Sequence, residues 1–173
     1  MLLTRRSFLA APLVLGACQY LPPMPEETGA PVTLREGFSG ARGGSGVIRR
    51  KHVHTLERFT LAQQGRMAGA DLLVAQRFAF DSGLRNALDW RFTPQGPGLW
   101  QGSRADLVGT ARVTERDGMV WFSYLADFAH PAGIMRWGFE EVLYRRPDGA
   151  LVLDGVLSEG STPALNLRVV LHG

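Results

Sequence analysis

In Leu72-Leu73-Val74-Ala75-Gln76-Arg77-Phe78-Ala79-Phe80-Asp81-Ser82-Gly83, the apolar residues Leu72, Val74, Phe78 and Phe80 all fall on one phase of a two-residue alternation. A period of two is the signature of a strand with one face buried. Asp81-Ser82-Gly83 then supplies turn chemistry and ends the run. The same reading extends in both directions. Leu88, Trp90 and Phe92 make the next strand, stopped by Pro94-Gln95-Gly96-Pro97-Gly98. Leu99 to Ser103, Leu107 to Thr114, Met119 to Phe128, Ile134 to Tyr144, Leu151 to Leu157 and Leu165 to Leu171 follow, with Asp117-Gly118 as a hairpin turn. Upstream, Val53 to Gln63 carries Val53, Phe59 and Leu61 on one side, and Gly46-Val47-Ile48 opens a first strand after a flexible Gly43-Gly44-Ser45.

That makes about 8 to 10 strand candidates joined by short connections, with no sustained 3.6-residue period for a large helix. The fold class read from this is all-β: an antiparallel meander that removes its edges by curling into a barrel. A two-sheet sandwich is the alternative. The length of 173 residues suits one domain, and an apolar share of 45% can build its core.

The amino terminus is read separately. Arg5 and Arg6 precede an apolar run from Phe8 to Ala17. That run reaches about 15 Å as a helix, half of a hydrocarbon core of about 30 Å, so it reads as a cleaved signal peptide over 1–17. Thr4-Arg5-Arg6-Ser7-Phe8-Leu9 resembles a twin-arginine export signal, and Leu15-Gly16-Ala17-Cys18 resembles the lipobox of bacterial lipoproteins. Cys18 is the sole cysteine, which excludes an intrachain disulfide and makes it the expected lipidation site. Several acyl chains there give a stable membrane anchor. Residues 18–31, with Pro22, Pro23, Pro25 and Pro31, read as a Pro-rich tether, leaving 32–173 for the barrel. The expected location is the bacterial cell envelope, facing the periplasm and held by lipid. Gln19 after Cys18, where an acidic residue would favour retention, points to the outer membrane by likeness to known sorting signals.

The formal charge of +3 includes Arg5 and Arg6; without them 17 basic residues face 16 acidic ones. That balance, with no basic stripe interleaved with aromatics, argues against a nucleic-acid partner.

From about Leu34 onward, the patches Phe38-Ser39-Gly40, Phe78 to Gly83, Trp90-Arg91-Phe92, Gly98 to Gly102, Asp106 to Ala111 and Trp121 to Tyr124 resemble domain-of-unknown-function family 3833, a family of bacterial lipoproteins. The resemblance implies a lipocalin-like barrel and a part in membrane-lipid metabolism. It supplies no catalytic residues. True lipocalins carry Gly-x-Trp near the first strand, and Phe38-Ser39-Gly40-Ala41-Arg42-Gly43 holds no tryptophan.

Candidate chemistry is sparse. His52-x-His54 with Glu57 or His130 has the residue types of a zinc site, but Arg49, Arg50 and Lys51 would repel a cation, so no metal is expected. Ser123, Asp127 and His130 hold the residue types of a hydrolase triad without a nucleophile elbow. Glu140 and Glu141 alternate faces of a strand, which opposes joint acid–base work; the inward one is expected to pair with Arg136 or Arg145. Gly40 to Gly46 lacks the lysine and helix of a phosphate loop. Neither a cofactor nor catalysis is expected. What remains is an apolar pocket for a lipid such as a fatty acyl chain, lined by Phe78, Phe80, Trp90, Trp100, Trp121, Tyr124 and Trp137. A filled barrel that serves as a scaffold for an envelope enzyme is the alternative, and a lipid-modifying enzyme is the third.

Overall fold

The computed structural model describes residues 21–51, 55–130 and 133–172, without the side chains of 129 and 130. They form a short helix α1 (Leu34–Phe38) and ten strands: β1 (Gly40–Arg50), β2 (Leu56–Ala68), β3 (Asp71–Phe80), β4 (Arg85–Gly96), β5 (Leu99–Ser103), β6 (Ala111–Arg116), β7 (Met119–His130), β8 (Gly133–Arg145), β9 (Leu151–Glu159) and β10 (Thr162–His172). Each strand pairs antiparallel with the next, and β10 pairs with β1, so the sheet closes into a barrel. The meander expected from the alternation is therefore present, and the sandwich is excluded.

The alternation sets what lies inside. On β3, Leu72, Val74, Gln76, Phe78 and Phe80 share one face; opposite them on β4 stand Leu88, Trp90 and Phe92. The hairpin between β6 and β7 turns through Asp117 (φ 54°) and Gly118 (φ 73°), the left-handed pair that an Asp-Gly turn supplies.

The first strand departs from expectation. Gly43, Gly44 and Ser45 do not form a flexible lead-in but lie within β1, paired with β2 and β10. Small size serves packing at Gly44 and Gly46: a Cβ on Gly44 would sit 2.9 Å from the Val170 carbonyl oxygen, and one on Gly46 2.2 Å from Cζ of Phe59, whose ring fills the space above that backbone. Residues 107–110, read as the start of a strand, instead belong to a turn over 104–110 that is bridged to β7 through Leu107 and Ala126, and β6 starts at Ala111.

One end of the barrel is plugged. Thr33 and Glu36 form a capping box, in which Thr33 Oγ1 accepts from the Glu36 N–H and Glu36 Oε2 accepts from the Thr33 N–H. Glu115, inside β6, accepts from the Leu34 N–H (2.9 Å) and from Trp100 Nε1 (3.1 Å), tying the helix to the wall. Leu34 and Phe38 are buried beneath, with Phe38 6.0 Å from Phe92 and 5.8 Å from Phe122. Burying each such ring stabilises the fold by about 1.5–3 kcal/mol. Gly65 admits the plug: a Cβ there would lie 1.7 Å from the Phe38 carbonyl oxygen. Just before the helix, the Gly29 N–H donates to the Arg145 carbonyl and the Val32 N–H to that of Gly118, which holds the approach to α1 against the plugged end.

Candidate functional site: the barrel interior

Barrel diameter grows with strand number, and eight strands are already just filled by side chains or hold one small ligand. Ten strands leave more room. A cavity of about 660 Å³ runs up from the plug. Three zones line it. The floor is Phe38, Phe92 and Phe122. The body is hydrocarbon from every side, with Ile48, Phe59, Phe78, Leu88, Phe139, Leu157 and Leu167 among its walls. The mouth, at the ends of β1, β2, β4 and β9, adds Arg50, Glu57, Asn86 and Glu159.

Of the seven residues expected to line a pocket, Phe78, Phe80, Trp90, Tyr124 and Trp137 do so. Trp100 points inward but lies at the plugged end, hydrogen-bonded to Glu115 and overlaid by the Arg35 guanidinium at 5.4 Å. Trp121 occupies an outward position of β7, beside Val142 and Tyr144 in a separate outer cluster, with Arg116 over its ring. The phase of β7 separates them: Tyr124 faces in, so Trp121, three residues away, faces out.

A polar group stands just above the floor. The Arg104 side chain is 4% exposed and lies 4.3 Å from the Trp90 ring centre and 5.4 Å from that of Tyr124. Trp90 in turn stacks on floor residue Phe92 at 5.1 Å. Asp106 receives Nε and Nη2 of Arg104. On the same wall, the Tyr124 hydroxyl of β7 donates to Glu141 Oε2 on the adjoining β8 at 3.2 Å. Burial pushes the Glu141 carboxyl up to about 7, with Arg104 and the Tyr124 hydrogen bond acting the other way. Burial also raises Tyr124 well above the ordinary phenol range. Gln76 Nε2 donates to Gln63, and Gln63 reaches the Gly37 carbonyl, linking this level to the plug.

Glu140 and Glu141 do face opposite sides of β8, but neither expected arginine meets the inward one. Arg136 pairs with Asp127 on the outer face, and Arg145 donates to the Gly149 carbonyl. Glu141 instead finds Tyr124 and Arg104, because β7 and the 104–110 turn are the elements packed against it. Ser123 and Asp127 are outward on β7, with Ser123 donating to Glu140; the geometry does not assemble a triad from them. His52 and His54 lie outside the described residues, as do Arg5, Arg6, Cys18 and the side chain of His130. Among the described residues no group of three His, Cys, Asp or Glu is placed to hold a metal ion.

A family model described as protein of unknown function (DUF3833) matches residues 13–159. The chain belongs to this family. No curated protein and no solved structure matches the chain. The DUF3833 span takes in Cys18, the plug and the walls of the cavity through β9, including Arg104, Tyr124 and Glu141. For this DUF3833 protein, the sequence points to five of the aromatic residues along the cavity but not to Phe38, Phe59, Phe92, Phe122, Phe128 or Phe139, nor to the polar group. A signal was present for most of it: Gln63, Gln76 and Glu141 are polar residues in phase with the apolar face of their strands. Arg104 follows β5 in a turn, where no period applies.

Proposed function

We propose that this protein is a lipid-anchored lipoprotein of the bacterial envelope whose barrel binds an apolar ligand such as a fatty acyl chain, as a carrier rather than an enzyme, in membrane-lipid metabolism. The observation that carries this reading is the open interior. A cavity of about 660 Å³ with walls of Phe, Trp, Leu and Ile falls in the range of small-molecule sites. A scaffold lipoprotein has no need of such a space, which favours the binding reading over the docking one. The Leu15-Gly16-Ala17-Cys18 sequence supports the anchor and the arginine pair Arg5-Arg6 supports export.

Displacement of a neutral fluorescent dye, N-phenyl-1-naphthylamine, from purified delipidated protein by long-chain fatty acids tests the binding. Saturable displacement supports it; a dye that never binds and acyl chains that leave no mass shift in native mass spectrometry overturn it. Cys18→Ser tests the anchor independently: the variant is expected in the soluble fraction, and unchanged sedimentation with membranes removes that part of the reading.

A further inference from the structure

Below the polar residues of its mouth, the cavity wall is hydrocarbon down to one level near the blind end, where Arg104, Glu141 and Gln76 line it. A buried guanidinium is costly unless it is paired. Asp106 satisfies two of the Arg104 nitrogens, Nε and Nη2, and leaves Nη1 to another acceptor. The Trp90 ring fixes the guanidinium plane from one side. Glu141 likewise spends Oε2 on Tyr124 and keeps Oε1 for another partner. Gly155, opposite Glu141 on β9, makes room for this side chain: a Cβ there would come within 3.0 Å of its Cγ.

We propose that Arg104, Tyr124 and Glu141 form a head-group site that receives the carboxylate of a single-chain amphiphile, bound head-first with its chain running up toward the mouth. This rests on the reading that the cavity takes an acyl chain. The opposite orientation would press a hydrocarbon tail against Arg104 and Glu141. Each group deprived of a partner would then cost about 1–3 kcal/mol, more where charged. Head-first binding satisfies both and leaves Phe59, Phe78, Leu157 and Leu167 to the chain.

The charges require a proton. Arg104 is already matched by Asp106, so an added carboxylate is tolerated beside Glu141 only when Glu141 is protonated and donates to it. The groups acting on Glu141 are Tyr124 from β7 and Arg104, with its Asp106, from the turn; Glu140 acts through the wall from the outer face, and β9 presents only Gly155. Because burial holds Glu141 near 7, the proton is available at neutral pH. Binding therefore takes up a proton, and carboxylate affinity falls above neutrality by up to about tenfold per pH unit.

The test compares hexadecanoate with hexadecan-1-ol by dye displacement on the wild-type protein, Arg104→Met and Glu141→Gln. The wild type is expected to favour the acid. Arg104→Met is expected to lose about tenfold or more for the acid and to keep its affinity for the alcohol, which also shows that it folds. Glu141→Gln is expected to flatten the pH dependence above neutrality. A stearate spin-labelled next to its carboxyl group should quench a variant retaining only Trp90 more than one retaining only Trp137, which pairs with Glu159 at the mouth. Equal affinity for acid and alcohol, or quenching in the opposite order, overturns the head-group site while leaving the acyl cavity standing. If neither probe binds, both readings fall.

Discussion

The guanidinium of Arg104 stacks on the Trp90 ring at 4.3 Å while both its Nε and its Nη2 are held by Asp106. The cation is thus fixed in plane and direction inside a wall that is mostly aromatic and aliphatic. Such a pair is stable only as a pair, because the Arg104 side chain is nearly without water. Asp106→Asn leaves the charge uncompensated and is expected to destabilise the protein by about 3 kcal/mol. The double variant Arg104→Met with Asp106→Asn is expected to cost clearly less than the sum of the two single changes. Urea denaturation of the four proteins gives the coupling directly. Strict additivity would show that the pair contributes nothing.

Glu141 makes stability depend on pH with a definite sign. Its carboxyl is raised from 4.5 to about 7 in the folded protein, so between these values the folded state holds a proton that the unfolded chain has lost. Stability therefore falls as pH rises through that window, by at most about 3 kcal/mol, and is fully present below it. Denaturation midpoints taken from pH 4.5 to 8 should show the decline, and Glu141→Gln should remove it. A variant with the same slope as the wild type would place the titration elsewhere.

The plug gives a third expectation. Glu115 receives both the Leu34 N–H and Trp100 Nε1, and Gly65 leaves space for the Phe38 carbonyl. Glu115→Ala removes two hydrogen bonds to a charged acceptor and is expected to cost about 2–4 kcal/mol. Gly65→Ala forces the helix off its seat, at about 1–3 kcal/mol. Both should open the floor to water. Acrylamide quenching of Trp100 fluorescence should rise in each, and protection equal to the wild type would mean that the plug is held by other contacts.

The barrel was legible because strands such as β3 and β4 alternate without interruption between clear turns. The plug was less so. A five-residue helix is too short to show a period, though Thr33 and Glu36 stand at capping-box spacing. The first strand departs from expectation because Gly43, Gly44 and Gly46 suggest freedom, whereas the ring of Phe59 and the backbone of β10 need the missing Cβ atoms of Gly44 and Gly46. Aromatic type identified pocket walls but not their side. Trp90 and Trp121 are alike in composition, and only the strand phase puts one in the cavity and the other outside. The meeting of Arg104 with Glu141 is a long-range fact: a turn folds back on β7, and no local pattern encodes that return.

The cavity itself can be closed without touching its polar end. Leu165 on β10 lines the space beside Leu157 on β9 and Arg50 at the mouth, two residues along the strand from Leu167, which lies level with Gly155 and Glu141. Leu165→Trp therefore turns its ring into the cavity, and the overpacking penalty of about 1–3 kcal/mol for a filled core does not apply in full. The variant is expected to melt within a few degrees of the wild type, because it exchanges a cavity for buried ring surface. Its capacity for hexadecanoate and hexadecan-1-ol should fall together by about tenfold, since the ring occupies the path of the chain and not the site of the head. Arg104→Met, by contrast, should separate the two probes. A Leu165→Trp protein that binds both at wild-type strength would mean that the chain lies elsewhere than in the barrel.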